Sequence, residues 1–224
     1  MTSPLSLRPE EPAAGPWTPT PLAALIDEVR ALGGPPTTRP LVLAIDGRGA
    51  GGKSTLADAI HDAVPRSTVV HTDDVAWHEP YFAWQHLLLK NILVPLRDGR
   101  PVTYRPPAWA SKDREGSITV ASGLELVIIE GTGAGDRTFA PFTDALIWVQ
   151  SDATKAERRG IARDVAAGTN GDHEQAVAFW HDWMRSEIEY LEEQRPWDRA
   201  DLFVNGTPER TAGNGTFWTA PRAT

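Results

Sequence analysis

The segment of residues 47–54 constrains this chain more than any other feature of its sequence. It reads GRGAGGKS and satisfies the pattern G-x-x-x-x-G-K-[ST] at every fixed position. Glycines allow consecutive backbone N–H groups to curl around phosphate oxygens, a turn that side chains would obstruct. Lys53 can add a positive charge beside the phosphates, and Ser54 can offer its hydroxyl to Mg²⁺. The segment therefore predicts a strand, a phosphate-binding loop and a helix, in that order.

The sequence on either side of the loop fits this prediction. Residues 41–45 form an uninterrupted apolar run, which is typical of a strand buried on both faces. Residues 55–64 carry apolar side chains at helical spacing, so the loop leads into a helix whose positive end faces the anion. We expect ATP or another nucleoside triphosphate to be bound by Gly47, Arg48, Gly49, Ala50, Gly51, Gly52, Lys53, Ser54 and Thr55.

The same glycines also satisfy a second motif. Residues 47–52 match the dinucleotide fingerprint G-x-G-x-x-G, and Asp73 and Asp74 follow about 20 residues later, where a ribose-binding acid would lie. The dinucleotide motif has no use for a lysine directly after its third glycine. Lys53 therefore favours a nucleoside triphosphate, and a nicotinamide or flavin domain stays open as the alternative.

Composition narrows the class of protein. The chain has 224 residues, enough for one α/β domain with insertions, and its net charge of −8 argues against a nucleic-acid-binding protein. Cysteine is absent, which excludes disulfides and thiol nucleophiles. The apolar runs are too short to span a membrane, and the N-terminus lacks the pattern of a signal peptide. We expect a cytoplasmic enzyme without membrane or nucleic-acid partners, and a homo-oligomer stays open.

Strand and helix patterns alternate along the chain. We predict strands at residues 41–45, 68–71, 124–129, 145–149 and 201–204, and helices at residues 21–32, 55–64, 81–92, 153–167 and 174–194. This alternation predicts an α/β three-layer sandwich with a mostly parallel five-stranded sheet, which binds ligands at the carboxyl ends of its strands. The domain would cover residues 21–210, with a hairpin insertion at about 95–122 and a lid at about 153–173. Residues 1–20 would form a loose proline-rich arm, and residues 211–224 a flexible tail.

Carboxylates follow two of the predicted strands. Asp73 lies just past residues 68–71, and Glu130 ends the run at 124–129. Phosphoryl transfer needs a metal ion and a carboxylate that takes the acceptor's proton. We predict that Asp73 takes this proton and that Ser54, Asp73 and Glu130 contact Mg²⁺. The alternatives are a helix N-cap for Asp73 or Asp74 and a solvent-facing loop position for Glu130.

Arginines of the predicted lid and aromatic side chains supply further candidates. Arg159 and Arg163 share a helix face and could close over the phosphates beside Arg158, or they form a solvated face paired with Glu157 or Asp164. Aromatic residues near the site, Trp84 among them, could stack on a planar or sugar-like acceptor, although most such residues serve packing. The predicted substrate-binding residues are Asp73, Trp77, His78, Tyr81, Tyr104, Arg105 and Trp109.

Five segments together resemble the uridine kinase branch of the small P-loop kinases, which is also similar to pantothenate kinase and phosphoribulokinase. They are residues 46–55, 71–74, 104–106, 127–131 and 159–164. The resemblance implies a P-loop kinase fold and ATP- and Mg²⁺-dependent phosphorylation of a hydroxyl on a small molecule, with a nucleoside-like acceptor favoured. It implies catalytic roles for Asp73, Lys53, Arg159 and Arg163, and a Mg²⁺ role for Glu130. A regulatory protein that binds nucleotide without phosphotransfer stays open, as does a dinucleotide-dependent oxidoreductase.

Overall fold

A computed structural model describes residues 5–8, 10–34, 38–168, 170–209, 213 and 215–222 of the chain. Its strands are β1 (Thr18–Pro21), β2 (Leu41–Gly47), β3 (Ser67–His71), β4 (Val102–Tyr104), β5 (Ile118–Val120), β6 (Leu126–Glu130), β7 (Ala145–Gln150), β8 (Leu202–Asn205) and β9 (Thr216–Pro221). Its α-helices are α1 (Leu22–Leu32), α2 (Lys53–Ala63), α3 (Thr72–Ala76), α4 (Gln85–Leu88), α5 (Val94–Arg97), α6 (Pro107–Ser111), α7 (Ala153–Ala167) and α8 (His173–Gln194). A π-helical turn at Leu89–Leu93 joins α4 to α5, and 3₁₀ turns lie at Arg137–Phe139 and Pro196–Asp198.

The main sheet has seven strands in the order β1-β9-β8-β7-β2-β6-β3. The predicted mostly parallel α/β sheet is confirmed, because β8, β7, β2, β6 and β3 run parallel to one another. The predicted number of five strands is wrong, since β9 and β1 extend this sheet in antiparallel pairing. The carboxyl ends of β2, β6 and β3 lie side by side, with Ile45 opposite Glu130 and Glu130 opposite His71. The residues that follow these strands therefore share one edge of the sheet.

Helices cover both faces of the sheet, which makes three layers. Along β2, Leu43 and Ile45 point to a core formed with α1 and α2, while Val42 and Ala44 point to a core on the opposite face. This division follows from the two-residue period of a strand. It explains why β2 reads as a continuous apolar run rather than an alternating one.

The prediction of a loose N-terminal arm is wrong for its described residues. β1 pairs with β9, with Thr18 opposite Thr219, and Glu11 is only 7% exposed. The same pairing corrects the prediction of a flexible C-terminal tail, because β9 lies within it. Proline is compatible with an edge strand because the strand has one unpaired side. The parts of the arm at residues 1–4 and 9, and of the tail at 211–212, 214 and 223–224, lie outside the described residues.

The helix predicted at residues 81–92 begins later and extends further, from α4 through the π-helical turn to α5. Pro95 explains its irregular middle, because proline lacks an N–H and its ring crowds the carbonyl four residues before it. In the π-helical turn, the Val94 N–H instead bonds to the carbonyl of Leu89, five residues back. The predicted insertion follows: β4 and β5 pair antiparallel, with Thr103 opposite Thr119, and α6 lies between them.

No helix in the described ranges has both the length and the apolar character needed to cross a membrane.

Candidate active site

The phosphate-binding loop connects β2 directly to α2, as the sequence predicts. Gly47 has a φ of 157° and Gly52 a φ of 103°, which non-glycine residues rarely adopt. A Cβ atom at Gly47 would lie 2.6 Å from the Val149 carbonyl oxygen, so only glycine fits at this position. Ala50, at the middle of the loop, has a φ of 54°, an uncommon conformation for a residue with a side chain. The loop is therefore a tight turn in which Ala50 has a strained backbone conformation.

Lys53, the first residue of α2, is 7% exposed. Its Nζ donates hydrogen bonds to the Arg48 carbonyl at 2.9 Å and to Thr132 Oγ1 at 3.2 Å. Thr132 Oγ1 in turn donates to the Gly47 carbonyl at 3.0 Å. The ammonium group is therefore fixed beneath the loop, within the site where an anion would be bound.

Asp46 ties the end of β2 to the segment that follows β6. Its carboxylate is 0% exposed and accepts N–H bonds from Gly47 at 2.7 Å, Gly133 at 3.0 Å and Gly135 at 2.8 Å. Burial raises the pKa of Asp46 to about 6, although these N–H groups and the charge of Lys53 act in the opposite direction. The Asp46 carboxylate therefore links the first residue of the phosphate-binding loop to the segment after β6.

The predicted metal ligands Ser54 and Glu130 lie together. Ser54 Oγ donates to Glu130 Oε1 at 3.1 Å, and His71 Nδ1 lies 2.6 Å from Glu130 Oε2. Burial opposes ionisation of Glu130, but the hydrogen bond from His71, the charge of Lys53 and the Ser54 hydroxyl lower its pKa. The hydrogen bond with Glu130 raises the pKa of His71. A carboxylate ionised at neutral pH beside a hydroxyl suits Mg²⁺, which is commonly held by one or two carboxylates and the phosphates of a substrate.

The two acids after β3 have different environments. Asp73 is exposed and lines the cavity described below, and no residue of the described chain forms a hydrogen bond or ion pair with its carboxylate. Asp74 instead pairs with Arg114 at 2.6 Å, and its carbonyl accepts from Trp109 Nε1 at 2.8 Å. The N-cap alternative is wrong for both acids, because they lie in the first turn of α3 and His71 is the N-cap residue.

A cavity of about 690 Å³ opens over the phosphate-binding loop. Asp73 and Glu130 lie on one of its walls, and residues 49–54 of the loop lie on another. Its remaining lining residues are mainly aromatic or belong to the lid: Ala76, Trp77, His78, Glu79, Pro80, Tyr81, Phe82, Trp84, Gly131, Thr132, Arg163, Asp164, Asn170, Phe179, Trp180 and Trp183. The predicted phosphate cup, metal ligands and proton acceptor thus face the same space.

The predicted substrate-binding residues divide into two groups. Trp77, His78 and Tyr81 line the cavity together with Asp73. Three others, Tyr104, Arg105 and Trp109, are not among the residues that line it. Trp109 is 5% exposed and stacks under the Arg114 guanidinium at 3.7 Å, while Arg105 donates to the Arg114 carbonyl. Trp109 instead attaches the insertion to α3 through its bond to the Asp74 carbonyl, so the structure does not place these three residues at the cavity and their contact with substrate stays a prediction.

The lid arginines also divide. Arg163 lines the cavity and is paired with Asp164, 2.9 Å away, as the solvated-face alternative predicted. Arg159 does not line the cavity but donates to the Gly206 carbonyl at 3.0 Å. Gly206 packs against the loop so closely that a Cβ atom there would lie 1.7 Å from the Gly51 carbonyl oxygen. The exposed Arg159 therefore touches the back of the phosphate site, while Arg163 faces its interior.

Two buried carboxylates that contact the phosphate-binding loop were missed by sequence reasoning. Glu187 on α8 is 3% exposed and accepts the Gly49 N–H at 2.7 Å, and burial raises its pKa. Glu11 in the arm pairs with Arg48 at 3.0 Å. A signal existed for Glu187, because it lies between Met184 and Leu191 on the apolar stripe of the predicted helix. Glu11 lies in an irregular proline-rich segment and gave no such signal.

No protein-family model and no curated protein sequence matches the chain. Three solved structures share its architecture. A possible uridine kinase from Bacillus stearothermophilus is 23% identical with a TM-score of 0.50, and the match covers 80% of this chain and 98% of that one. A candidate fructose transport system kinase from Silicibacter sp. TM1040 is 20% identical with a TM-score of 0.56, covering 75% and 94%. D-glycerate 3-kinase from Cryptococcus neoformans var. grubii is 13% identical with a TM-score of 0.54, covering 88% and 98%.

These likenesses extend over most of both chains in each case, and at this level of identity they establish the fold. The chain has the P-loop kinase fold, and the resemblance noted in the sequence is confirmed at that level.

Proposed function

We propose that the protein is a kinase that transfers the γ-phosphoryl group of ATP to a hydroxyl of a small molecule, with Mg²⁺ as its metal ion. The observation that carries this proposal is the position of Asp73. It is an exposed carboxylate without a protein partner in the described structure, and it shares one cavity with the phosphate cup and Glu130. A carboxylate placed in this way can accept the proton of an attacking hydroxyl.

The residues around the cup fit a nucleoside triphosphate and its metal ion. The N–H groups of the loop and the positive end of α2 would hold the phosphates, and Lys53 would add its charge. Ser54 and Glu130 would hold Mg²⁺, and Asp73 would contact it directly or through water. The described residues contain no group of three or more His, Asp or Glu side chains that could hold a metal ion without help. Phosphate oxygens would therefore complete the coordination of Mg²⁺, which offsets charge on the transferred group.

The acceptor end of the cavity supports an uncharged, planar substrate. Trp77 and Tyr81 offer aromatic surface there, and the acids nearby are Asp73 and Glu79. The cations among the residues that line the described cavity are Lys53 beneath the loop and Arg163, which is paired with Asp164. An anionic acceptor would thus meet carboxylates without an unpaired arginine or lysine, whereas a nucleoside-like alcohol could stack on the rings.

A panel of alcohols with different charge tests this proposal. We would measure ADP release with Mg·ATP and uridine, other nucleosides, fructose and D-glycerate. We expect an uncharged nucleoside-like alcohol to be phosphorylated and D-glycerate to be rejected. Asp73→Asn should lower acceptor-dependent kcat by roughly 10²- to 10⁴-fold and leave the Kd for ATP within a factor of three. Lys53→Ala should weaken both ATP binding and turnover.

Other outcomes would assign a different function. ATP binding with slow hydrolysis, no acceptor in the panel and full tolerance of Asp73→Asn would indicate a regulatory nucleotide-binding protein. The order of the sheet argues against the dinucleotide alternative, because β6 lies between β2 and β3. In the dinucleotide-binding fold, the strand that ends in the ribose-binding acid is adjacent to the strand before the glycine loop. Saturable binding of NADH that ATP does not compete with would restore that alternative.

A further inference from the structure

The phosphate-binding loop is attached to α8 by a hydrogen bond to a buried carboxyl group. Glu187 Oε1 accepts the Gly49 N–H at 2.7 Å, and Glu187 is 3% exposed. Glu187 is not among the residues that line the cavity, so its carboxylate reaches the loop from behind. The site that would bind phosphate is therefore in contact with a helix that starts more than 100 residues later in the sequence.

One side of α8 carries the contacts with the site. Trp183 packs closely on Gly49, and a Cβ atom at Gly49 would lie 2.6 Å from the Trp183 ring. Tyr190 stacks on Phe82, with the two ring centroids 4.1 Å apart. Residues 183, 187 and 190 follow one another at steps of four and three, so they share a helix face. α8 thus contacts the loop through Glu187 and Trp183, and the acceptor wall through Tyr190.

The loop needs such an attachment because its backbone is strained. Ala50, next to Gly49, has a φ of 54°, and residues held in this region persist only where their surroundings fix them. Arg48, the residue before Gly49, is held by Glu11 of the arm at 3.0 Å. Two buried carboxylates therefore hold consecutive residues at the start of the loop. The Gly51 N–H closes the turn on the Arg48 carbonyl at 3.0 Å, and the other residues from Ala50 to Ser54 line the cavity with no such bond from their N–H groups among the described residues.

We propose that Glu187 is a positioning residue for the nucleotide: by accepting the Gly49 N–H it fixes the loop conformation in which the N–H groups that are not used within the turn can bind the phosphates. This inference rests on the proposed function only in taking ATP as the ligand. Glu187 does not touch the reacting atoms and acts through the loop backbone. For this role, residue 187 needs a hydrogen-bond acceptor at the end of a side chain as long as that of glutamate.

A set of variants separates the acceptor from the charge and from the volume of the side chain. Glu187→Gln keeps an acceptor oxygen at the same reach, Glu187→Asp keeps the carboxyl group but shortens the side chain, and Glu187→Ala removes both the acceptor and the length. The exposed Glu192 on the same helix provides the matched controls Glu192→Gln and Glu192→Ala. We would measure the Kd for Mg·ATP by calorimetry, KM and kcat where turnover occurs, and the melting temperature of each variant.

We expect Glu187→Asp and Glu187→Ala to raise the Kd and KM for ATP tenfold or more, with KM for the acceptor within a factor of two. Glu187→Gln and both Glu192 variants should stay within a factor of three of the wild type. A purely structural role would lower the melting temperature of Glu187→Asp without this selective loss of ATP affinity. If Glu187→Ala does not fold, the comparison of the Asp and Gln variants decides.

Two results would overturn the inference: ATP binding by Glu187→Asp within a factor of two of the wild type, or a loss in Glu187→Gln as large as that in Glu187→Asp. Failure of the proposed function is distinguishable from both. In that case the wild type binds Mg·ATP but phosphorylates no alcohol, while the order of ATP affinities among the variants still tests Glu187.

Discussion

Replacement of Glu11 by alanine should destabilise the protein strongly, although Glu11 lies in a proline-rich segment without regular structure. Its side chain is 0% exposed and that of its partner Arg48 is 5% exposed. The carboxylate accepts from Arg48 Nε at 3.1 Å, Arg48 Nη2 at 3.0 Å, Trp148 Nε1 at 2.8 Å and Gln150 Nε2 at 3.2 Å. Glu11→Ala removes all four interactions and leaves the Arg48 guanidinium buried without its ion-pair partner in the described structure.

The expected cost follows from this burial. Removing one partner of a buried ion pair typically costs about 3–5 kcal/mol, because the remaining charge has neither water nor a partner. In a chain of this size, 1 kcal/mol corresponds to about 2–4 °C in melting temperature, so Tm should fall by roughly 6–20 °C. The exposed neighbour Glu10 provides the control: its pair with Arg195 at 3.2 Å is solvated, and Glu10→Ala should cost less than about 1 kcal/mol.

Urea unfolding followed by far-UV circular dichroism would measure both variants at pH 7. A double-mutant cycle with Arg48→Met adds a second test. Arg48→Met removes the positive charge that Glu11→Ala leaves buried without its ion-pair partner. The double variant should be more stable than the sum of the single changes predicts, by about 1–3 kcal/mol. A cost for Glu11→Ala no larger than that for Glu10→Ala, with no coupling to Arg48, would refute the reasoning.

Two further substitutions test other parts of the fold. Asp144 accepts from Arg39 at 2.6 and 2.7 Å and from the Val42 N–H at 2.8 Å; burial opposes its ionisation, but these bonds lower its pKa. The ionised Asp144 therefore stabilises the fold fully above the unfolded pKa of about 3.9, and this contribution is lost as the pH falls through the lower folded pKa. Asp144→Ala should cost about 3 kcal/mol of unfolding free energy at pH 6. In urea unfolding, the difference in stability between this variant and the wild type should shrink below about pH 4. Gly160→Ala should lower the stability of the protein by about 1–2 kcal/mol, because its Cβ atom would lie 2.0 Å from the Trp180 ring, whereas alanine normally favours a helix. The smaller ring of Trp180→Phe should recover part of that loss in thermal unfolding, and a stabilising Gly160→Ala would contradict the described contact.

The elements that were predicted correctly are those whose local sequence pattern is compatible with only one type of secondary structure. The loop at residues 47–54 requires a strand before it and a helix after it, and the apolar run of β2 is buried on both faces as expected. α7 was predicted with the bounds that it has, because its polar N-cap Asp152 and the left-handed Gly168 mark both ends. These signals are local, so they can be read from neighbouring residues alone.

The parts that were missed depend on contacts between distant segments. The arm appeared loose because its own residues form no pattern, yet Glu11 is held by Arg48 and Trp148, which no local rule connects to it. Trp109 was predicted to contact substrate because it lies in an irregular insertion, but its indole N–H bonds to the Asp74 carbonyl and its ring is buried. In each case the sequence gives the chemistry of the side chain, and only the tertiary fold decides which partner it meets.

Because β1 pairs with β9, the β1 edge of the main sheet can form only late in the synthesis of the chain. β1 lies at the edge of the sheet and has β9 as its one neighbour there, although the two strands are at opposite ends of the described chain. During synthesis the first of them leaves the ribosome long before the second exists. Ser6, Glu11 and Ala14 of the arm bond to residues 148–153, which are made much earlier, whereas β1 finds its partner only after β9 has been made. A nascent chain halted before residue 216 would carry every residue of the cup and the partners of Glu11, and would still lack the strand that pairs with β1.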